Sequence, residues 1–541
     1  MKSYLLYPEK EWVNNTSYFD DKGIIQDLGL RILFMMAARD VIWENDEVKS
    51  IGMPDHFIEE NFRKIMMVPL TCEDEIVYRQ EILKDALAAE GFFREVYELT
   101  EKHLREWAEL GRRSKEKIGS WDSLSNLIMD IRILRLFVNS LKRIKELFKE
   151  YEETISSRGL LALKQRLYQV FSDETEADLT RILQDVSFFV DSYEEDDKEH
   201  EMVNRPHIVL ECSLDGGMKF QEFKLDELTT KHIKYRDPNS MLGKVQGYMN
   251  ARTPDSVAIQ WGTLLREHTL RIEFEAVHYV MSHTMTFVGR FNTFFDQLHL
   301  QSSFYRGAIN LSHHMKRFRI AYCFPKVTAR DMLRFDDLKE VVMSMEQRIE
   351  AVGNTCSMED IRLLIVTGAN QGGKSTFLRS IGIAQVMMQC GLMVTANEYE
   401  SGIFPAFFTH FTRREDSAMN SGRLDEELGR MNQIVENLGE HSMVLLNESF
   451  ATTTEKEGSV IAYDIIKALT EAGVKILTVT HLLSFAQRMY DEDRNGSGVE
   501  FFSAERLENG KRTFKMIQHA PELTSFGLDL YEEIMQRETY K

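Results

Sequence analysis

A glycine-rich stretch at residues 362–377, RLLIVTGANQGGKSTF, constrains the fold more than any other part of the chain. It joins a run typical of a buried strand to a tight turn and then to a helical pattern. Gly368, Gly373, Lys374 and Ser375 occupy the fixed positions of the motif G-x-x-x-x-G-K-[ST], which binds phosphate in this strand-turn-helix context. Glycines let the backbone approach phosphates closely, at the positive end of the following helix. The stretch therefore predicts a nucleotide-phosphate site.

The side chains of the motif predict which residues bind the nucleotide phosphates and which bind the metal. We expect Lys374 to reach the β and γ phosphates, and the Ser375 hydroxyl to bind Mg²⁺, which usually keeps several waters. The predicted nucleotide-binding residues are Gly368, Ala369, Asn370, Gln371, Gly372, Gly373, Lys374, Ser375 and Thr376. A chance glycine turn is the competing interpretation, and the agreement of strand, turn and helix disfavours it. The implied cofactors are ATP and Mg²⁺.

Length and composition bound the class of protein. A chain of 541 residues, 43% of them hydrophobic, is long enough for several domains with ample core. No apolar run is long enough for a membrane span, and the start, MKSYLLYPEKEW, becomes charged too early for a secretory signal. We expect a cytoplasmic protein, and the scattered, odd number of cysteines fits a reducing compartment. The net charge of −20 argues against a broadly basic surface, so any DNA contact must be concentrated.

Helical periodicity dominates the chain before the phosphate motif. We predict a small N-terminal cap segment at 1–64 and a mainly α-helical core or lever domain at 65–350, followed by an ATPase domain at 351–541. Runs such as IRILRLFVNSLKRIKELFKEYEE repeat apolar residues three and four apart, so that one stripe packs and the rest is solvated. The pattern changes at about 200–255, where two short strands around Asp215-Gly-Gly217 predict a small β-containing, clamp-like insert.

Bases outnumber acids within this insert. Between residues 224 and 252 the chain carries six lysines and arginines against three acidic residues, with two tyrosines interleaved. This composition is typical of a DNA contact. An ordinary solvated loop explains it equally well, and the sequence leaves both interpretations open.

Polar residues follow two further predicted strands. Residues 443–448, MVLLNE, predict a buried strand that ends in Asn447 and Glu448. In ATPases of this kind, a carboxylate beyond such a strand orients the attacking water, and the residue before it supports Mg²⁺. Glu448 is thus the candidate base, whereas the uncharged Asn447 predicts low magnesium affinity or turnover. A third strand is predicted at 474–480, and His481 follows it. His481 would sense the γ-phosphate, and the alternative is that it is an ordinary polar residue at the end of a strand. A hairpin at 501–507 and 512–519 and a last helix at 526–537 are predicted after it.

Six segments in the last third of the chain occur in the order found in the MutS family of DNA mismatch-repair ATPases. GANQGGKST resembles the family's GPNMGGKST, and QCGLMVTA at 389–396 resembles its I-G-x-F-V-P-A segment. The other four are at 404–416, 446–458, 480–481 and 521–527. Residues 68–83 and 295–304 resemble the family's helical core more weakly. The resemblance covers the chain from about residue 65 to its end, most strongly from residue 362.

This resemblance implies an α/β P-loop ABC-type ATPase domain joined to the helical core or lever domain. It also implies a homodimer in which two ATPase domains sandwich two nucleotides while the levers extend to clamps that hold DNA. A serine of the family's S-x-F-x-x-E segment reaches the partner's γ-phosphate, and SGRLDEEL at 421–428 is similar to that segment. If Leu424 and Glu427 are aligned with the phenylalanine and glutamate of the family's segment, Gly422 takes the position of its serine. Ser421 requires a shift of one residue, but we favour it because a hydroxyl at a helix start can donate to phosphate and glycine cannot. The alternative role of Ser421 is a helix cap.

The chain also departs from the family. The family's mismatch reader is a separate N-terminal domain with an F-x-E wedge, and only about 65 residues precede the core here. We expect neither that domain nor an F-x-E there, and no Smr domain after the final helix. The leading hypothesis is therefore an ATPase that clamps structured or branched DNA rather than mismatches. The alternative is an ATP-gated, slow or non-hydrolysing dimeric switch that binds a protein partner. An ABC transporter subunit fits poorly, because the chain has no membrane segment.

Overall fold

The computed structural model describes eleven segments of the chain. They are residues 3–8, 21–44, 47–116, 122–186, 207–214, 220–229, 277–369, 371–412, 423–492, 498–507 and 512–521. Within these segments, no helix combines the length and the apolar character needed to cross a membrane. The predicted final helix at 526–537 and the Asn509-Gly510 turn lie outside them.

The strands are numbered here in chain order. They are β1 Val41–Glu44, β2 Glu47–Ile51, β3 His207–Leu214, β4 Phe220–Thr229, β5 Lys326–Val327, β6 Leu333–Leu338, β7 Asn354–Met358, β8 Leu363–Thr367, β9 Glu398–Ser401, β10 Phe407–Phe411, β11 Met443–Asn447, β12 Lys475–Val479, β13 Val499–Arg506 and β14 Arg512–Gln518. The helices are Asp21–Leu28, Arg31–Ala37, His56–Met66, Glu73–Ala88, Glu90–Glu116, Asp122–Glu150, Arg158–Val170, Asp173–Val186, Asn292–Arg317, Val341–Gln347, Lys374–Gln389, Arg423–Asn437, Glu455–Glu471 and Leu483–Glu492. Residues 277–289 are helical as well.

Two compact units share the chain, and each uses more than one segment of it. The first contains Glu98–Glu150 and Lys164–Gln297, and the second contains Ser3–Tyr97, Tyr151–Leu163 and Leu298–Lys541. The predicted domain boundaries at 64/65 and 350/351 remain a prediction.

In the first unit, aromatic side chains hold the helices together. The ring of Phe137 packs edge-on against Phe171 and Phe291, with ring centroids 6.4 and 5.1 Å apart. The buried Lys145 ammonium lies 2.8 Å from Asp173. In the insert, β3 and β4 pair as an antiparallel hairpin, as expected. The basic side chains between 224 and 252 lie outside the described side chains, so their contact with DNA stays a prediction.

A six-stranded sheet in the second unit carries the glycine-rich stretch. The strand order is β10-β11-β12-β8-β13-β14, and neighbouring strands are parallel except for the antiparallel pair β13 and β14. This pair confirms the predicted C-terminal hairpin, as β11 and β12 confirm the strands predicted at 443–448 and 474–480. β8, β10 and β12 are buried at every residue, because parallel sheets of this kind are covered on both faces.

Helices cover this sheet on both faces. Leu363 and Ile365 of β8 belong to one buried cluster with side chains of the helices at 423–437, 455–471 and 483–492. On the opposite face, Phe377 of helix Lys374–Gln389 stacks against Phe502 of β13, with ring centroids 6.2 Å apart. The helix that follows the glycine turn is therefore packed along one face of the six-stranded sheet.

A smaller four-stranded sheet in the same unit has the order β5-β9-β6-β7.

The N-terminal part of the chain corrects one expectation. Phe57, Ile58 and Glu59 have the F-x-E spacing, so the expectation that none lies in the first 65 residues is wrong. They occupy the first turns of helix His56–Met66 in the second unit. The Phe57 ring stacks on His299, with ring centroids 4.3 Å apart. In this chain the Phe57-Ile58-Glu59 triplet therefore lies in a helix, and its phenylalanine packs against another residue of the same unit.

Candidate nucleotide site

Three neighbouring strands bring the predicted site residues to one edge of the sheet. β11, β12 and β8 are adjacent and parallel, so their carboxyl ends lie side by side. Glu448 follows β11, His481 follows β12 by two residues, and the glycine-rich turn follows β8. In open α/β sheets, ligands bind outside the carboxyl ends of the strands.

The glycine-rich turn requires backbone that only glycine adopts readily. Gly368 and Gly373 have φ of 101° and 93°, in the left-handed region that disfavours side chains. A Cβ on Gly372 would lie 2.6 Å from the Cβ of Ala504. Gln371 has φ of 60°, and its Oε1 accepts a hydrogen bond of 3.0 Å from Arg512. β14 thus supports the turn from the side.

Lys374 folds back over this turn. It is the first residue of helix Lys374–Gln389 and is 5% exposed. Its Nζ donates hydrogen bonds of 2.7 Å to the carbonyl oxygen of Gly368 and 2.9 Å to that of Ala369. The ammonium is therefore held at the amino end of the helix, where the backbone also attracts anions.

Ser375 and Asn447 meet across the site. The Ser375 hydroxyl donates a hydrogen bond of 2.9 Å to Oδ1 of Asn447, the last residue of β11. Oxygen atoms are the ligands that Mg²⁺ prefers, and Mg²⁺ is usually bound by few protein groups together with waters and phosphates. Among the described residues, no group of three or more histidine, cysteine, aspartate or glutamate side chains could hold a metal ion. The hydroxyl and amide oxygens of the Ser375–Asn447 pair are ligands of the type that a magnesium ion shared with nucleotide and water would accept.

Glu448 and His481 form the acid-base part of the site. His481 Nε2 lies 2.8 Å from Oε1 of Glu448, and the two side chains are 29% and 38% exposed. The hydrogen bond from His481, together with electrostatic interactions with His481 and Lys374, lowers the pKa of Glu448, although burial opposes this. The carboxylate is thus ionised at neutral pH. It can accept a hydrogen bond or a proton from water.

The backbone of Glu448 is fixed from two neighbouring strands. Its φ is 56°, which is uncommon for a residue with a side chain. Its N–H donates to the carbonyl oxygen of Val479, 2.8 Å away in β12. Its own carbonyl oxygen accepts a hydrogen bond of 2.7 Å from the hydroxyl of Thr412, which follows β10. The direction of the carboxylate is therefore set by the sheet.

Two family models match this chain. The family model of MutS domain V matches residues 364–536, which contain the whole site. The model of the MutS2 N-terminal domain matches residues 71–193. The chain belongs to the MutS family.

Several MutS-family proteins are similar to parts of this chain. Endonuclease MutS2 of Latilactobacillus sakei is 30% identical over 147 residues, which are 27% of this chain and 19% of that protein. DNA mismatch repair protein MSH3 of Debaryomyces hansenii is 32% identical over 130 residues, 24% of this chain and 13% of its own length. DNA mismatch repair protein MutS of Macrococcus caseolyticus is 21% identical over 395 residues, 65% of this chain and 43% of its own. The matches thus span less than half the length of each relative.

The structure brings most of the predicted MutS-type site residues to this one edge. Asn370 and Ser421 lie outside the described residues, and Thr376 is half-buried in the first turn of its helix. Sequence analysis did not identify Thr412 or Arg512 as parts of the site. The position of Thr412 directly after a buried strand could have indicated it, because that strand ends at the same edge of the sheet.

Proposed function

We propose that this chain is an ATPase that binds ATP with Mg²⁺ and couples its binding and hydrolysis to the clamping of DNA in the cytoplasm. The observation that supports this most is the convergence of three features at one sheet edge: the glycine-rich turn, the Ser375–Asn447 pair and the Glu448–His481 pair. Two of the relatives carry the name DNA mismatch repair protein. The expected substrate is structured or branched DNA rather than a mismatch.

Each side chain of the site has a role in this reaction. The turn and Lys374 bind the phosphates, and Thr376 adds a hydroxyl at the same helix end. Bound magnesium would neutralise phosphate charge, with Ser375 as a ligand and Asn447 contacting one of its waters. Glu448 orients the attacking water and accepts its proton. His481 holds the carboxylate and senses the γ-phosphate.

The proposal includes a homodimer through a P-loop ABC-type domain at 351–541. In such a dimer each site is composite, with Ser421 contributed across the interface. The helical region from residue 65 to 350 would act as the lever, and the insert at about 200–255 as the clamp. ATP binding would then close the dimer and change the grip on DNA.

The steady-state Mg²⁺-ATPase rate of the purified protein tests this function. It is measured alone and with single-stranded, duplex and branched DNA, and the Lys374→Ala variant provides the background rate. We expect a rate above that of Lys374→Ala and stimulation by branched DNA. A rate equal to background under every condition would contradict the ATPase.

Asn447 favours a second candidate function. An amide beside the base brings no negative charge to the metal, and Ser375 is hydrogen-bonded to that amide. The chain would then be an ATP-gated switch, slow or unable to hydrolyse, that binds a protein partner. A salt titration separates the two functions, because clamping on DNA phosphates weakens steeply as salt rises. Binding of ATP without turnover and without salt-sensitive DNA binding would favour the switch.

A further inference from the structure

The turn that carries Glu448 has an unusual backbone. Glu448 and Phe450 both have positive φ, of 56° and 66°, and Ser449 lies between them. Residues with side chains adopt this conformation only when the surrounding structure holds them there. Other groups must therefore fix this turn.

Glu427, on the neighbouring helix Arg423–Asn437, is one of the groups that fix this turn. Glu427 as a whole is 4% exposed. Oε1 accepts a hydrogen bond of 2.6 Å from the backbone N–H of Phe450, and Oε2 accepts one of 2.5 Å from the hydroxyl of Thr452. A buried carboxylate needs donors to replace water, and here both donors come from the segment directly after Glu448.

His410 connects the backbone of Glu427 to the same turn. Its Nε2 lies 3.2 Å from the carbonyl oxygen of Glu427, which can only accept, so this nitrogen carries the hydrogen in the contact. Nδ1 lies 2.7 Å from the Ser449 hydroxyl. The His410 ring stacks on Phe450, with centroids 5.9 Å apart. The turn is thus held at both of the residues that follow Glu448.

The helix at 455–471 packs closely against the turn at Gly458. A Cβ on Gly458 would lie 2.4 Å from the carbonyl oxygen of Phe450. The Phe450 side chain is fully buried below the sheet. If the bond from Glu427 were lost, the Phe450 N–H would be left without its partner, and the left-handed turn would lose its contact with this carboxylate.

We propose that Glu427 is a positioning residue for Glu448, which it serves by fixing the turn that aims the carboxylate at His481. This inference rests on the proposed ATPase function. Glu427 acts through the backbone of this turn, because its carboxylate bonds to Phe450 and Thr452 rather than to Glu448 itself. A misplacement of a catalytic group by about 1 Å can lower a rate on the order of 100-fold. Loss of this hold should therefore reduce turnover more than ATP binding.

Kinetics of four variants test the proposal. We expect Glu427→Ala to lower kcat by about 10- to 100-fold and to change KM for ATP by less than about threefold. Glu427→Gln should stay within about fivefold of wild type, because its amide oxygen can accept from Phe450 and its NH₂ can donate to Thr452. Thr452→Val removes one donor and should lower kcat by about two- to fivefold. Glu426→Ala, an exposed neighbour on the same helix, is the matched control and should have no effect.

Hydrogen exchange of the peptide at 448–452 provides a measurement that does not depend on turnover. Glu427→Ala should accelerate exchange there by about tenfold or more, while Glu427→Gln and Glu426→Ala should not. Wild-type turnover equal to that of Lys374→Ala would reject the ATPase, and exchange would still decide whether Glu427 holds the turn. The proposal is wrong if Glu427→Ala leaves kcat per folded protein unchanged or leaves exchange unchanged. If Glu427→Ala does not fold, Thr452→Val decides, and unchanged kcat and exchange in that variant contradict the proposal.

Discussion

The helix Lys374–Gln389 has polar side chains at both of its ends, but their surroundings differ. At the amino end, the Glu448 and His481 side chains near Lys374 remain 38% and 29% exposed. The Ser375 hydroxyl bonds to the side chain of Asn447. These groups can exchange their present contacts for a ligand.

At the carboxyl end, the polar side chains are fully buried and hydrogen-bond to the protein backbone. Arg79, with no exposed surface, donates hydrogen bonds of 3.1 Å to the carbonyl oxygen of Cys390 and 2.8 Å to that of Leu6. The side chain of Gln389 bonds in both directions with the backbone of Phe404. A cation at a helix carboxyl end interacts favourably with the helix dipole. This end is a joint between the phosphate-turn helix and the helix at 73–88.

The difference indicates that one helix serves two separate purposes. Its amino end keeps polar groups accessible for chemistry, whereas its carboxyl end uses polar groups to join segments that are distant in sequence. Substitutions at the amino end should lower turnover and leave the free energy of unfolding almost unchanged. Substitutions at the carboxyl end should do the reverse, because functional sites are seldom optimised for stability.

The largest effect is expected at the amino end, from Glu448→Gln. A positioned general base contributes on the order of 10²- to 10⁴-fold to a rate, so kcat should fall by about that factor while ATP remains bound. Steady-state hydrolysis and nucleotide-binding measurements check this result. Glu440→Gln, an exposed substitution on the loop before β11, is the matched control. Full hydrolysis by Glu448→Gln would remove Glu448 from the role of base.

The pH dependence of turnover tests the same carboxylate. The pKa of Glu448 is lowered from its ordinary value of 4.5, mainly by the hydrogen bond from His481. Glu448 therefore stays ionised as the pH falls to that value, and its protonation should not reduce kcat/KM between pH 5 and 8. Rates of wild type and Glu448→Asp are compared over this range. An acidic limb above pH 5 that shifts in Glu448→Asp would show that the pKa is not lowered.

Arg79→Met should give the largest effect at the carboxyl end. Two buried carbonyl oxygens would lose their donor, and each unsatisfied group costs about 1–3 kcal/mol. The free energy of unfolding should fall by roughly 2–6 kcal/mol, while kcat per folded molecule stays within about threefold. Denaturant unfolding and ATPase rates are measured together, with the exposed Arg31→Met as the control. A large loss of kcat without a loss of stability would show that the two ends are not separate.

Cys390 reports local opening of this joint. Burial raises the pKa of its thiol to about 11, so at pH 8 only about one molecule in a thousand carries the reactive thiolate. Wild-type Cys390 should react very slowly with a thiol reagent, and Arg79→Met should increase the rate about tenfold or more. Peptide mass spectrometry separates Cys390 from Cys356, which is also buried but lies in β7. An equal increase at both cysteines would indicate global rather than local opening.

Much of the amino end could be predicted from the sequence because its signals are local. The strand, the glycine turn and Lys374 are adjacent in the chain, and their residue types agree with one structure. Asn447, Glu448 and His481 were identifiable because each follows a buried strand, and parallel strands end at the same edge of a sheet. The structure brings Ser375 and Asn447, 72 residues apart, into contact at that edge.

The carboxyl end could not be predicted in the same way. Arg79 and Cys390 are 311 residues apart, and nothing in the local pattern pairs a buried arginine with one helix end. The contacts of Glu427 with Phe450 and Thr452 were missed because they depend on helix packing rather than on spacing. The interleaving of the two units likewise depends on contacts between distant segments.

The smallest effect is expected at the amino end of the helix, from a substitution of Asn447 that changes the magnesium dependence. Asn447→Asp places a carboxylate 2.9 Å from the Ser375 hydroxyl, and a charged oxygen attracts Mg²⁺ more strongly than an amide oxygen. The magnesium concentration for half-maximal ATPase activity should fall by about three- to tenfold, with little change in stability. The new charge would also lie beside Glu448 and oppose its lowered pKa, which limits any gain in kcat. If magnesium dependence is unchanged in Asn447→Asp, residue 447 does not contact the metal or its waters. The amino end would then bind the ion through Ser375 and the phosphates without support from β11.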